Sequence, residues 1–116
     1  MKVLGIDIGG SALKGAPVDT KTGKLLAERH RVEIDAPCPT AQGLAATREI
    51  IRHFNWKGPV GIGFPSIIQD NRIGAVGNLG KNWEYQDGAA VFRRATGGKV
   101  RLFNDADAAG LAEMKF

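Results

Sequence analysis

The segment from Gly5 to Gly15, GIDIGGSALKG, constrains the fold of this chain more than any other. Residues 2–8 are apolar at nearly every position, which predicts a strand covered on both faces that carries Asp7 near its end. Gly9-Gly10 predicts a tight turn, and residues 13–18 predict a second strand. This strand–turn–strand unit is neither a P-loop, which needs Gly-Lys-Ser/Thr, nor a dinucleotide motif, which opens a helix.

The residues around this turn favour phosphate chemistry with a divalent metal. A carboxylate at a strand end, here Asp7, can hold a hydrated Mg²⁺. Gly9 and Gly10 allow backbone N–H groups to approach phosphate oxygens, and Ser11 and Lys14 add a hydroxyl and an ammonium group. A hairpin whose glycines serve geometry alone is the alternative, and the turn by itself leaves both open.

Composition limits the class of protein. The chain has 116 residues, 43% hydrophobic and 24% charged, which is typical of one folded domain. It has no apolar run long enough for a bilayer and no signal-peptide pattern, so we expect a cytoplasmic protein without a membrane partner. Its single cysteine, Cys38, argues against disulfides and cysteine-based zinc sites. The net charge of +4 is dispersed, which suits an anionic ligand better than nucleic acid.

Further along the chain, hydrophobic periodicity and turn residues predict the order β-β-β-α-β-(hairpin)-α-β-α, which is a mixed sheet with helices packed on its faces. The predicted elements are a third strand at 25–34, a helix capped by Thr40, a strand at 60–64, a hairpin around Asp70-Asn71, a loop at 78–83, a helix between Asp87 and Gly97, a strand at 100–103 and a helix from residue 104.

A second acidic site follows the last predicted strand, at Asn104-Asp105. Ligands of α/β folds gather at the carboxyl ends of strands, and a helix N-terminus keeps a carboxylate ionised. Asp105 could therefore take the proton of a sugar hydroxyl that receives a phosphoryl group, while Asn104 binds neighbouring hydroxyls. Helix capping by Asp105 and Asp107 is the alternative reading. Together with Asp7, the site favours metal-assisted phosphoryl transfer to an alcohol.

With both motifs placed, the chain resembles the N-terminal domain of ROK-family sugar kinases, and more narrowly that of the polyphosphate glucokinase branch. The matching pieces occur in the family's order over the whole chain: Gly5 to Ala16 with Pro17-Val18-Asp19, Gly61 to Pro65, Asn78-Leu79 with Trp83, and Asn104 to Gly110 through Glu113-Met114.

The resemblance implies an α/β domain of the actin-like, ribonuclease-H type. It also implies transfer of a phosphoryl group from polyphosphate or ATP, with Mg²⁺, to the 6-hydroxyl of glucose or a related hexose. In the family's pattern the catalytic base is Asp105, the sugar contacts are Asn78, Asn104, Gly63 and Pro65, the phosphate contacts are Gly9, Gly10, Ser11 and Lys14, and the metal ligand is Asp7. Ala12, Ser66 and Gly80 depart from that pattern.

Family members carry a second domain of comparable size. We therefore expect residues 1–116 to be the N-terminal kinase domain, with the C-terminal domain absent from this chain and little activity without it. A non-catalytic, sugar-sensing regulator of the same family is an alternative. An isolated half-domain that forms a homodimer is another, through apolar residues suggested to be exposed: Val91, Phe92, Leu111, Met114 and Phe116.

Overall fold

A computed structural model describes residues 1–65, 68–70, 72–74 and 79–104. Within these ranges the strands are β1 (Lys2–Ile8), β2 (Ala12–Asp19), β3 (His30–Glu33), β4 (Val60–Phe64), β5 (Ile68–Gln69), β6 (Arg72–Ile73) and β7 (Val100–Asn104). The helices are α1 (Thr40–Phe54) and α2 (Gly88–Thr96), with a 3-10 turn at Lys81–Trp83. The predicted final helix, like Asn78 and Asp105, lies outside the described residues.

Five strands form one sheet in the order β3-β2-β1-β4-β7, and β5 pairs with β6 in a separate hairpin. The first three strands are antiparallel, whereas β4 runs parallel to both β1 and β7. The predicted mixed α/β architecture is confirmed. Because β1, β4 and β7 are parallel, their carboxyl ends meet at one edge of the sheet.

Both helices pack on the same core. The largest buried side chains include Ile6 of β1, Ile62 and Phe64 of β4, and Phe92 of α2. Helix α1 approaches β2 closely, since a Cβ built on Gly15 would lie 2.7 Å from Cγ2 of Ile50. Among the described residues no helix has the length and apolarity required to cross a bilayer.

The third strand is shorter than predicted. Only His30–Glu33 pairs along β2, and Leu25 makes a single bridge to Val18. Leu26 still donates its N–H to the carbonyl of Pro17 at 2.8 Å, but residues 27–29 leave the ladder. Their exposure keeps the charged Glu28 and Arg29 in water. The alternating pattern of residues 25–34 could not indicate where pairing at this sheet edge ends.

Other predictions about local structure were wrong or incomplete. Thr40 does not cap α1: Pro39 occupies the N-cap position without a side-chain bond, and the Thr40 hydroxyl accepts a hydrogen bond from Asn82. Val91 and Phe92, suggested as exposed dimer contacts, are buried at 5% and 0% exposure. The other suggested contacts, Leu111, Met114 and Phe116, lie outside the described residues.

Two cap predictions are confirmed, and one loop prediction is partly wrong. The Asp87 carboxylate accepts a hydrogen bond from the N–H of Ala90 at the start of α2, and Gly97 ends that helix with a φ of 69°. The predicted loop at 78–83 contains the 3-10 turn, whose Trp83 is only 1% exposed. An aromatic side chain of that size stabilises the core by its burial.

Candidate active site

The first predicted motif lies at the carboxyl end of β1, the central strand of the sheet. Asp7 is the register partner of Gly63 on β4 and of Lys14 on β2. Gly63 is in turn the partner of Phe103 on β7. Register partners on adjacent strands face the same side of a sheet, so these four residues form one row across it.

Gly63 gives the Asp7 carboxylate its space. A Cβ built on Gly63 would lie 3.3 Å from Oδ1 of Asp7 and 3.3 Å from Cε2 of Phe103. That spacing is tighter than most real Cβ contacts, so a side chain at position 63 would press on both groups. The glycine thus leaves the carboxylate exposed at the strand end, as a ligand site requires.

The turn after β1, formed by residues 9–11, is held by backbone hydrogen bonds. The N–H of Gly9 donates to the carbonyl of Ala12 at 2.9 Å, and the N–H of Ile34 donates to the carbonyl of Ser11 at 3.0 Å. A Cβ at Gly10 would meet nothing within 4 Å, and its φ lies outside the left-handed range. Neither packing nor backbone conformation therefore demands glycine at position 10, which supports the ligand reading of the turn.

The polar groups of the turn lie on the surface. Ser11 and Lys14 are both exposed, and Lys14 sits across the ladder from Asp7. The Lys14 ammonium group can neutralise the charge of a phosphate bound at the turn. The same phosphate could contact a metal ion held by the Asp7 carboxylate. The structure brings together all the residues that the sequence assigned to phosphate and metal.

Mg²⁺ usually binds proteins through one or two carboxylates, completing its octahedron with waters and substrate phosphates. No group of three or more metal-binding side chains occurs in the described ranges. Asp7 therefore fits a magnesium ion that a bound phosphate also ligates, and the described residues offer no cage of protein ligands alone.

The predicted sugar contacts are only partly placed. Gly63 is buried in β4, Pro65 follows that strand half-buried, and Asn104 ends β7 as the register partner of Phe64. Asn104 is half-buried and makes a polar or electrostatic contact. Asn104 lies one residue further along β7 than Phe103, which belongs to the row of Asp7. Successive residues of a strand face opposite sides of the sheet, so Asn104 faces the helix-covered side. Asn78 and Asp105 lie outside the described residues.

A bonded cluster that the sequence reading missed joins the loop before α1 to the 3-10 turn. Cys38 is buried, and its carbonyl oxygen accepts hydrogen bonds from Trp83 Nε1 at 2.8 Å and Asn82 Nδ2 at 3.1 Å. Burial, with a smaller contribution from the Asp35 carboxylate, raises the pKa of the Cys38 thiol. This thiol is therefore a structural group rather than a nucleophile.

One signal in the sequence pointed to this cluster. Gly43 interrupts the predicted helix, where glycine costs about 1 kcal/mol relative to alanine and therefore suggests a packing reason. The structure supplies that reason, since a Cβ at Gly43 would lie 2.6 Å from Cζ2 and Cη2 of the Trp83 indole.

Known proteins of one family are similar to this chain along its length. The profile of the ROK family matches residues 3–116. Polyphosphate glucokinase from Mycobacterium tuberculosis (strain ATCC 25618 / H37Rv) is 34% identical over 113 residues, which are 97% of this chain and 43% of that protein.

Two solved structures are similar over the same region. Inorganic polyphosphate/ATP-glucomannokinase from Arthrobacter sp. strain KM aligns with a TM-score of 0.86 at 39% identity, covering 97% of this chain and 47% of that one. A ROK family glucokinase from Streptomyces griseus, in complex with glucose and AMPPNP, aligns with a TM-score of 0.74 at 26% identity, covering 95% and 35%. The chain thus spans less than half the length of each of these relatives.

Proposed function

This chain belongs to the ROK family, and we propose that it forms the N-terminal, actin-like domain of a two-domain sugar kinase. The proposed reaction transfers a phosphoryl group from polyphosphate, ATP or both to the 6-hydroxyl of glucose. The similar proteins carry these substrates in their names, as polyphosphate glucokinase and polyphosphate/ATP-glucomannokinase.

One observation carries the proposal: the Asp7 carboxylate lies at the carboxyl edge of three parallel strands, over Gly63 and beside Lys14. Phosphoryl transfer needs positioning and charge neutralisation more than covalent help from the protein. An exposed carboxylate, an ammonium group and a glycine turn at one sheet edge supply those two requirements in a small space.

On the donor side, each group has a distinct task. The backbone N–H groups of the Gly9–Ser11 turn and the Lys14 ammonium group bind the oxygens of the terminal phosphates. Asp7 holds a hydrated Mg²⁺, which when bound supplies positive charge to those oxygens. Polyphosphate and ATP both end in phosphoanhydrides, so the same contacts accept either donor.

On the acceptor side, we propose that Asn78 and Asn104 hold sugar hydroxyls and that Gly63 and Pro65 line the sugar pocket. The Asp105 carboxylate takes the proton of the 6-hydroxyl as its oxygen bonds to the terminal phosphorus. The bond from that phosphorus to the bridging oxygen breaks, and the donor leaves one phosphate shorter. Before this transfer, a second domain closes over the cleft and excludes water.

The test is a coupled glucokinase assay of the full-length gene product with polyphosphate and with ATP. We expect Asp105→Asn to lower kcat by about 10²-fold or more, the usual share of a general base, with little change in the glucose KM. Asp7→Asn is expected to raise the Mg²⁺ concentration needed for half-maximal rate, because it removes a charged ligand.

Asp70→Asn is the matched control, since it makes the same chemical change at an exposed hairpin turn with a φ of 51°, which asparagine adopts readily. It should leave all kinetic constants at wild-type values. Wild-type turnover in Asp105→Asn would remove that residue as the base, and an inactive wild type with either donor would refute the kinase proposal itself.

A further inference from the structure

Two cations continue the row of Asp7 across the sheet toward its edge. The ladder between β1 and β2 pairs Asp7 with Lys14, and the ladder between β2 and β3 pairs Lys14 with Arg31. Register partners face the same side of a sheet, so these three residues form one row across three adjacent strands. All three are exposed. We call Lys14 and Arg31 the cation pair.

The opposite side of the same strands is the core. One residue along each strand from the Asp7 row, Ile8, Leu13 and Val32 are register partners of one another. Ile8 and Leu13 are buried, and Val32 packs against the core cluster. Because successive residues of a strand alternate between its two sides, the cation pair lies on the side away from helix α1.

The protein does not neutralise the cation pair by itself. Within the described ranges no ion pair involves Lys14 or Arg31. The Glu49 carboxylate lies 3.6 Å from Nε2 of His30, and the His30 ring stacks on that of His53 in helix α1, so this carboxylate is bound on the helix-covered side. Both positive charges therefore face solvent and can attract an anion there.

Arg31 lies further from the proposed metal ligand than Lys14 does. Adjacent strands are about 4.8 Å apart, so the backbone of Arg31 lies about 10 Å from that of Asp7, with Lys14 between them. The proposed function binds the terminal phosphates of the donor at the Gly9–Ser11 turn and at Lys14. A phosphate chain that extends along the row reaches Arg31 next, and a planar guanidinium group can donate two parallel hydrogen bonds to phosphate oxygens.

The two proposed donors differ at this distance from their reacting ends. The triphosphate of ATP ends in a ribose and an adenine, whereas polyphosphate continues as a chain in which every phosphate carries negative charge. A cation beyond the terminal phosphates therefore has an anionic partner in long polyphosphate that ATP does not supply. We propose that Arg31 binds the polyphosphate chain beyond its terminal phosphates and so favours polyphosphate over ATP; the inference rests on the proposed function.

One carboxylate on the same side of the sheet opposes this attraction. Glu33 lies two residues beyond Arg31 on β3, pairs with Ala12 and is exposed, so it faces the same side as the cation pair. Its negative charge repels a phosphate chain, whereas that of Arg31 attracts it. Neutralising either residue by glutamine should therefore change polyphosphate binding in opposite directions.

The experiment compares the KM values for long-chain polyphosphate, tripolyphosphate and ATP in the full-length gene product. We expect Arg31→Gln to raise the KM for long-chain polyphosphate about fivefold, the upper end for one exposed ion pair, and the other two by less than about twofold. Glu33→Gln should lower the KM for long-chain polyphosphate by about twofold. Arg31→Lys keeps the charge and should recover most of the lost affinity.

Arg93→Gln is the matched control, because it removes the same charge from an exposed arginine of helix α2, on the other side of the sheet. It should leave all three KM values at wild type. An equal rise for all three donors in Arg31→Gln, no rise for any, or the same rise in Arg93→Gln would overturn the inference and leave the kinase proposal standing. A wild type that uses ATP but not polyphosphate would do the same, whereas a wild type inactive with every donor would overturn both.

Discussion

The turn after β1 and the segment Leu79–Trp83 are both rich in glycine and polar residues, yet their glycines serve opposite purposes. Gly10 has an ordinary φ and open space around it. Gly80 has a positive φ and no room for a side chain, and Gly43 faces the ring of Trp83. Gly10 leaves free space at the protein surface. Gly80, and Gly43 on the neighbouring helix α1, are required by contacts inside the protein.

This difference distinguishes a ligand surface from its support. Among the described residues, backbone hydrogen bonds join the Gly9–Ser11 turn to Ala12 and to Ile34, and Ser11 is exposed. The Cys38 carbonyl, in contrast, accepts hydrogen bonds from the side chains of Asn82 and Trp83, and the Trp83 ring stacks on Phe92. These contacts fix one backbone conformation of the segment Leu79–Trp83. At Gly10 the neighbouring Asp7, Ser11 and Lys14 favour a ligand role, whereas packing accounts for Gly43 and Gly80.

The largest difference is expected in stability. Gly43→Ala places a methyl group 2.6 Å from the Trp83 indole, which is held by its N–H bond to Cys38. Overpacking typically costs 1–3 kcal/mol and alanine regains part of it in a helix, so we expect a net loss of about 1–2 kcal/mol. Urea unfolding of the 116-residue chain measures it.

Gly98→Ala is the matched control, since a Cβ there would meet nothing within 4 Å. Gly10→Ala should also change the free energy of unfolding by less than about 0.5 kcal/mol. A loss in Gly10→Ala equal to that in Gly43→Ala would show that the two glycines do not differ in the way the geometry indicates.

The next effect concerns the phosphoryl donor. In Gly10→Ala the new methyl group stands where a phosphate would approach the backbone N–H groups of the turn. Losing one hydrogen bond to a charged group should raise the donor KM about tenfold, with the glucose KM unchanged. Steady-state kinetics of the full-length gene product with both donors measures this, and an unchanged donor KM would favour glycines that serve turn geometry alone.

The smallest effect is a pH dependence of the free energy of unfolding that comes from Cys38. Because burial raises the pKa of the Cys38 thiol, the folded state holds its proton to higher pH than the unfolded state does. Stability from this group is complete below the ordinary thiol pKa and is lost as the pH rises through the raised one. Between neutral and alkaline pH, the free energy of unfolding measured in urea should therefore fall more steeply for wild type than for Cys38→Ala. Parallel slopes would contradict the assignment.

Local patterns in the sequence predicted much of the fold. The apolar run of Lys2–Ile8, the Val60–Phe64 strand, the Asp87 cap and the Gly97 helix end all occur as predicted. Each depends on residues within a few positions of one another, where periodicity, capping and turn chemistry act directly. The same is true of the Asp7 to Lys14 hairpin, so the sequence alone brought the proposed phosphate residues together.

Only the tertiary structure decided how distant segments meet. That Gly63 backs Asp7, that Thr40 serves Asn82 rather than α1, and that Trp83 fills the core all depend on neighbours tens of residues away. No periodicity encodes such contacts, because they follow from the pairing of β1 with β4 and from the close packing of helices on the sheet. The sequence determined which groups this protein offers, and packing determined which of them support one another.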